Sequence, residues 1–309
     1  MQKYTVSEIS SNLKFKLRAL MHPSVTRCWT KLLNCNEIMR ELAMIQPRIL
    51  HKVYRPWFSC KMNHQERLEA LTYHYKFIQQ HDLNYLIIMA ARHPVEIAVF
   101  SGKNGIKFCI TLCAIVPLER EGELVLQLHS CGDLIYSVAF SFINEGAHAK
   151  IAIGCVQGPK PGAGLDLVRT ATRNLFGLRP KNLLMRVVRQ VGNAYRCSDL
   201  VLVGNVNRTA ARKSFRQGKV KADYDSFWIE LGANRRSDGD FELACGPLIP
   251  PAMENVIPKK RSEVRRRHEL LEVINFDIMS YLFPLSLTSR LGPVANDLGL
   301  LTALSDRYF

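Results

Sequence analysis

The segments KIAIGCVQG (150–158), PKPGAG (159–164) and DLVLVGNVN (199–207) decide the fold. An apolar strand that runs into a glycine-rich loop and then a helix gathers unpaired backbone N–H groups and the positive end of the helix dipole at one place, where a phosphate or other anion can sit. Two helical runs separate the loop from the second apolar string. Leu165, Val168, Leu175 and Phe176 mark the first; the second is opened by Pro180 and carries Leu183, Leu184, Val187, Val188 and Val191 on one side.

Upstream, the pattern from Ser7 to Ile49 is helical, with Leu13, Leu17, Leu20 and Met21 on one stripe and Ile38, Leu42 and Ile45 on another. Pro23 and Pro47 punctuate it. YRPWFSC (54–60) reads as a loop with a buried aromatic pair. Asn63 then caps a strong helix with Glu66 at the reciprocal position and Leu68, Leu71, Tyr75 and Ile78 facing inward. His64, His74 and His81 share no face with a carboxylate and read as surface or packing residues.

From Asn84 the period becomes extended. YLIIMA, VEIAVF, IKFCITLCAIV, ELVLQLH, LIYSVAFSFI and AKIAIGCV are expected as strands, joined by turns at Asn104-Gly105, Glu121-Gly122, Gly132-Asp133 and Glu145-Gly146. Such spacing demands an antiparallel meander, and SVAFSFI alternates as a strand with one face on the core. After the second apolar string come the basic loop NRTAARKSFRQGKVK (207–221), a short helix in ADYDSFWIELGA (222–233), a last strand FELAC (241–245), a proline-rich connector and the basic helix KKRSEVRRRHELLEVI (259–274). The expected fold is α+β: a helical module over 1–83, a mostly antiparallel mixed sheet flanked by helices over 84–246, the connector and basic helix over 247–274, and an extension over 275–309.

With 309 residues, 47% of them hydrophobic, the chain buries a sizeable core. Its net charge of +15 favours a polyanionic partner such as nucleic acid, phosphorylated lipid or a phosphate-bearing cofactor. Nine cysteines without a CxxC pair read as reduced thiols of a cytoplasmic protein, and no metal set is expected. The N-terminus shows no secretory signal and no stretch is apolar enough to span a membrane.

Gln157, Gly158, Lys160, Gly162 and Gly164 form the candidate anion loop, since glycines let amides approach and Lys160 adds charge. It is neither a Walker loop nor a Rossmann fingerprint. Arg169 and Arg173 share a helix face and could clamp an anion. Asp223, Tyr224, Asp225 and Trp228 are the acidic-aromatic cluster nearest this loop, with Tyr224 a candidate proton donor and Asp225 a candidate base. Lys259, Lys260, Arg261, Arg265, Arg266 and Arg267 are the densest positive run, suited to anionic lipid or nucleic acid.

SVAFSFI, IGCVQGPK, LVRTATRNLFGLRPKNLLMRVVRQ, VGNVN, VKADYDSFWIELGA and KKRSEVRRR together resemble the VirK/YbjX family of Gram-negative bacteria over residues 1–274. That resemblance implies a setting of virulence, stress response, resistance to antimicrobial peptides and lipid A modification in the envelope. A second resemblance is to the GNAT acyltransferase layout, in which a meander ends in a strand followed by a loop whose amides hold the pyrophosphate of acyl-CoA. Gln157, Gly162 and Gly164 approximate its spacing, and Asn205 matches a position where that layout often places an asparagine. This implies an acyltransferase that uses positioning and a general base without a covalent nucleophile. The competing expectation is a non-enzymatic adaptor whose basic surfaces bind a polyanion or a partner protein.

Overall fold

The computed structural model describes residues 15–159, 163–209 and 222–283. Eight strands make one open sheet in the order β1-β2-β3-β4-β5-β6-β8-β7: β1 Val95–Ser101, β2 Lys107–Ala114, β3 Leu124–Ser130, β4 Asp133–Glu145, β5 His148–Gln157, β6 Asp199–Leu202, β7 Asn234–Arg235 and β8 Phe241–Ala244. Strands β1 to β5 are the expected antiparallel meander. β5 and β6 pair in parallel, and β8 returns antiparallel between β6 and β7.

The helices are α1 Pro23–Leu33, α2 Glu37–Ile45, α3 His64–Gln80, α4 Asn84–Arg92, α5 Ala163–Asn174, α6 Pro180–Ala194, α7 Tyr224–Glu230 and α8 Arg261–Leu282, with a 3₁₀ segment Pro47–Tyr54 before α3. α3 starts with the reciprocal cap: Asn63 Oδ1 accepts from the Gln65 and Glu66 amides, and Glu66 accepts from the Asn63 amide. α3 packs on β4, α4 on β2, α6 across β3 to β6, and α8 on β1 and α6. One apolar cluster joins Trp29, Trp57, Leu71, Phe142, Leu184, Leu202, Trp228 and Ile274, so the N-terminal helices, the sheet and α8 share a core. Each of these large side chains contributes about 1.5–3 kcal/mol when fully buried.

Three expectations give way. YLIIMA is not a strand but the middle of α4, with Ile87, Ile88 and Ala91 inward; a short apolar run is compatible with either element, and here the space over β2 is helix-shaped. SVAFSFI is buried on both faces rather than one, because Ala139 belongs to a small second cluster with Cys113, Val125 and Cys155 under Leu118. Leu17, Leu20 and Met21 point outward, and the inward stripe of this region is Val25, Trp29 and Leu33. Leu13 lies outside the described residues. The basic helix, α8, runs on through Ile274 to Leu282 and buries Leu270, Leu271, Ile274 and Ile278.

A buried carboxylate ties the helices to the sheet. Glu123, just before β3, takes Lys52 Nζ at 2.5 Å and Trp57 Nε1 at 2.8 Å on one oxygen and the Tyr75 hydroxyl on the other. Lys52 and Glu123 are 4% and 1% exposed. The Glu123 amide donates to Ser141 Oγ on β4 at 2.8 Å. Next to it, the Phe142 amide, which lies beyond the start of β3, donates to His74 Nδ1 at 3.2 Å. Burial lowers the pKa of His74 to about 4, with Glu123 opposing the shift and Lys52 reinforcing it.

Two predictions follow from this cluster. Lys52→Met strands a buried charge and costs about 3–5 kcal/mol in urea unfolding, whereas Lys52→Met with Glu123→Leu recovers a substantial part of the loss; a double variant no better than the single one would contradict a charge-pair origin. For His74, the unfolded chain takes up a proton near pH 6.5 and the folded chain only near 4. The stabilisation is therefore complete above pH 6.5 and declines as the pH falls toward 4, by roughly 3 kcal/mol in total. His74→Gln retains an acceptor for the Phe142 amide and flattens that window in pH-dependent unfolding; an unchanged slope in the variant would count against His74 as its source.

Candidate functional site

The candidate site is where the parallel pair parts. Ile151, Ala152 and Ile153 of β5 pair with Leu200, Val201 and Leu202 of β6, and the Val203 amide still reaches Ile153 O at 3.0 Å. β6 then turns away at Gly204, while β5 runs on to Gln157. Gly154 is an extra residue opposite β4, since Ala139 pairs with Cys155 and Phe140 with Ile153. The loop before β3 presses on this bulge so closely that a Cβ on Gly154 would lie 2.0 Å from Glu121 O.

α7 lies across the parting. Tyr224 Oη accepts from the Val156 amide at 2.9 Å and lies 3.0 Å from Val156 O, so one phenol satisfies a strand edge that β6 has left. Cys155 Sγ is 3.4 Å from it. Burial pushes the phenol pKa far up, with the Cys155 thiol adding to the shift, so the hydroxyl keeps its proton. Arg208 stacks on the ring at 3.7 Å, and Trp228 Nε1 donates to Val203 O at 2.9 Å.

Asn205 holds the start of α7: its Oδ1 accepts from the Tyr224 amide at 2.9 Å and its Nδ2 donates to Asp223 Oδ1 at 2.7 Å. Asp225 Oδ1 accepts from the Asn205 amide at 2.7 Å, and Oδ2 faces Arg235 at 3.7 Å. Both residues are thus engaged in fixing the turn that aims Tyr224, and both lie beside the parting.

The loop residues sit at the other lip. Gln157 is exposed at the end of β5, and a Cβ on Gly158 would strike the Tyr136 ring at 2.7 Å. Gly164, in the first turn of α5, abuts Pro159 so that a Cβ would meet its ring at 2.7 Å. Lys160 and Gly162 lie outside the described residues. On α5, Arg169 pairs with Asp166 at 3.1 Å and Arg173 is exposed. On α8 and the turn before it, Lys259, Lys260, Arg261, Arg265 and Arg266 are exposed and form no ion pair among the described residues. Arg267 is half-buried and donates to Phe176 O at 2.9 Å.

One feature of the sheet escaped the sequence pattern. Glu96, Thr111, Gln127, Ser137 and Gln157 stand in register across β1 to β5, so five polar side chains form one row on one face. Its contacts are long: Thr111 Oγ1 lies 3.4 Å from His129 Nε2, and Gln127 Nε2 3.5 Å from Ser137 Oγ. The signal was present as single polar residues inside apolar strands, but only the register shows that they line up. The row ends at Gln157, at the lip of the parting.

Among the described residues no helix is long and apolar enough to cross a membrane. Residues 5–280 match the family model described as protein of unknown function, DUF535. The chain is 26% identical over 265 residues to the uncharacterized protein YbjX of Escherichia coli strain K12, covering 84% of this chain and 80% of that protein. It is 30% identical over 214 residues to an uncharacterized protein of Haemophilus influenzae, covering 69% and 70%. It is also 22% identical over 186 residues to membrane protein LapB of Mannheimia haemolytica, covering 59% and 78%. With the family pattern running through the meander, the parting strands and α8, the chain belongs to the DUF535, or VirK/YbjX, family.

Proposed function

We propose that the chain is an acyltransferase of the GNAT kind that takes an acyl group from a thioester such as acyl-CoA, in the envelope setting that the VirK/YbjX resemblance implies. The observation that carries this reading is the parting of β5 and β6 beside the bulge at Gly154, with a glycine loop leading into α5 at one lip and the Tyr224 hydroxyl at the other. The Val156 edge, which a single phenol now satisfies, fits a thioester's amide-bearing arm, because a strand edge accepts any extended amide chain. Gln157, Gly158, Gly164 and the start of α5 would hold the diphosphate, with Arg173 adding charge. The thioester supplies an activated acyl carbonyl. A hydroxyl or amine of the acceptor attacks that carbonyl and loses its proton to water, the C–S bond breaks, and Tyr224, which keeps its proton until then, gives it to the departing sulfur and regains one from solvent; Asn205 and Asp225 position the phenol. Acting from the cytoplasmic side on an envelope lipid such as lipid A, such a transferase fits the setting of virulence, stress response and resistance to antimicrobial peptides that the resemblance implies.

The adaptor reading draws on the exposed cations before and along the start of α8, which suit an anionic lipid surface or nucleic acid without selectivity. Each adds on the order of 1 kcal/mol of attraction near an anionic membrane, a term that fades within a Debye length.

Acyl-CoAs of two to twelve carbons are expected to raise the melting temperature, since a ligand at a hundred times its Kd stabilises by about 2.7 kcal/mol. Gly164→Val, which collides with Pro159, removes that shift; Tyr224→Phe keeps it but lowers thiol release at least tenfold, in line with the loss of a general acid. No shift with any acyl-CoA would sink the acyltransferase reading. For the adaptor reading, Lys260→Glu with Arg265→Glu and Arg266→Glu is expected to abolish salt-sensitive sedimentation with anionic vesicles and with DNA without altering the melting temperature. Unchanged sedimentation would remove the helix from any such role.

A further inference from the structure

Ahead of α1, three large apolar side chains in one stripe face water. Residues 15–21 are helical, and Leu17, Leu20 and Met21, spaced for one side of the helix, are 60%, 79% and 65% exposed. The opposite side is occupied, so the stripe has no room to turn inward. The Phe15 ring meets His51 and Tyr54 edge-on, with centroids 5.6 and 5.8 Å apart, and His22 stacks on His64 at 3.9 Å. The helical ladder runs on past Pro23: the His22 amide donates to Arg18 O and the Thr26 amide to His22 O, both at 3.0 Å. Ser24, Cys28 and Lys31 of α1, all exposed, therefore follow Met21 on the same side at steps of three and four residues.

The charge around the stripe has one sign. From Phe15 to Asn36 the sequence holds Lys16, Arg18, Arg27 and Lys31 and no Asp or Glu. Lys16, Arg27 and Lys31 are exposed and form no ion pair among the described residues. Carboxylates on the neighbouring elements have partners of their own. Glu119 faces Arg48 and Arg55 at 3.8 and 3.6 Å, Glu66 closes the cap of α3, and Glu69, which lines an open groove with Lys31 and Lys76, accepts from Gln65 Nε2 at 2.9 Å. Single exposed apolar residues are ordinary, but a contiguous stripe rimmed by cations is the pattern of a helix lying in a membrane interface. Nucleic acid would use the cations and leave the leucines in water.

We propose that the helical turn at 15–21 docks on an anionic lipid surface, with Leu17, Leu20 and Met21 entering the headgroup region and Lys16, Arg27 and Lys31 over the lipid phosphates. The contact differs in kind from attraction by the α8 cations, because it inserts side chains, and it does not rest on the acyltransferase reading.

Co-sedimentation of the full chain with vesicles of phosphatidylglycerol and phosphatidylcholine tests it, in low salt and in about 1 M salt, where charge attraction is confined to roughly 3 Å. Part of the binding is expected to survive the high salt, since insertion is not screened. Leu17→Ser with Leu20→Ser and Met21→Ser is expected to weaken that surviving part by roughly tenfold or more and to leave the melting temperature unchanged, as all three side chains are exposed. Lys260→Glu with Arg265→Glu and Arg266→Glu leaves the same part intact. Leu20→Trp supplies a second readout: its indole emission is expected to shift to shorter wavelength on the vesicles, over a constant background from Trp29, Trp57 and Trp228, which are at most 1% exposed. Salt-resistant binding retained by the serine variant overturns the proposal, as does an indole emission that the vesicles leave unchanged. A lipid-free parent chain that is larger in solution than the serine variant also overturns it, since the stripe would then join two copies of the chain. Acyl-CoA thermal shifts of the serine variant remain those of the parent, so failure of one reading is visible without the other.

Discussion

The Glu123 carboxylate, shut away from water with Lys52, Trp57 and Tyr75 around it, is the interaction on which the architecture depends. Its donors come from the 3₁₀ segment, from the loop after it and from α3, while its own amide is bonded to β4. A single acidic side chain thus fixes the N-terminal helices on the sheet in one orientation. Apolar contacts alone are non-directional and would tolerate sliding; a buried charge with three specific donors does not, because any shift leaves a desolvated charge uncompensated. His74 adds to this by capping the Phe142 amide that β3 leaves bare.

That rigidity reaches the candidate site through a short path. The loop between β2 and β3 ends at Glu123, and the same loop presses Glu121 O against the bulge at Gly154. The bulge bends β5 where β6 leaves it, and α7 closes the opening with a phenol on the strand edge and an indole on Val203 O. The opening is therefore held by contacts from two directions: the β2–β3 loop and the Asn205–Asp225 turn. Strand edges left bare are normally covered or blocked, and here the cover is one hydroxyl that another donor and acceptor can replace.

Charge is distributed unevenly over this frame. Carboxylates and cations compensate each other around β7 and β8, where Arg236 pairs with Glu145 at 2.8 Å and Lys150 with Glu242 at 2.5 Å. On the turn before α8 and along its start, Lys259, Lys260, Arg261, Arg265 and Arg266 are exposed and form no ion pair among the described residues. One region is a closed electrostatic network, the other an exposed positive surface.

Much of this was legible in the residues themselves. The meander declared itself through period-two runs and glycine turns, and the cap of α3 through Asn63 and Glu66, because each depends on neighbours a few positions apart. Tyr85 to Ala90 misled, since a short apolar run carries no period of its own and only the surface it covers decides between helix and strand. The residue types of Asn205 and Asp225 suit a cofactor contact and a base, while the bonds by which they fix the start of α7 come from a turn the linear order does not reveal. The alignment of Glu96, Thr111, Gln127, Ser137 and Gln157 and the meeting of Lys52 with Glu123 were decided by tertiary structure alone. Each joins residues distant in the chain, and strand register and helix packing, which set those distances, are properties of the whole core rather than of any segment.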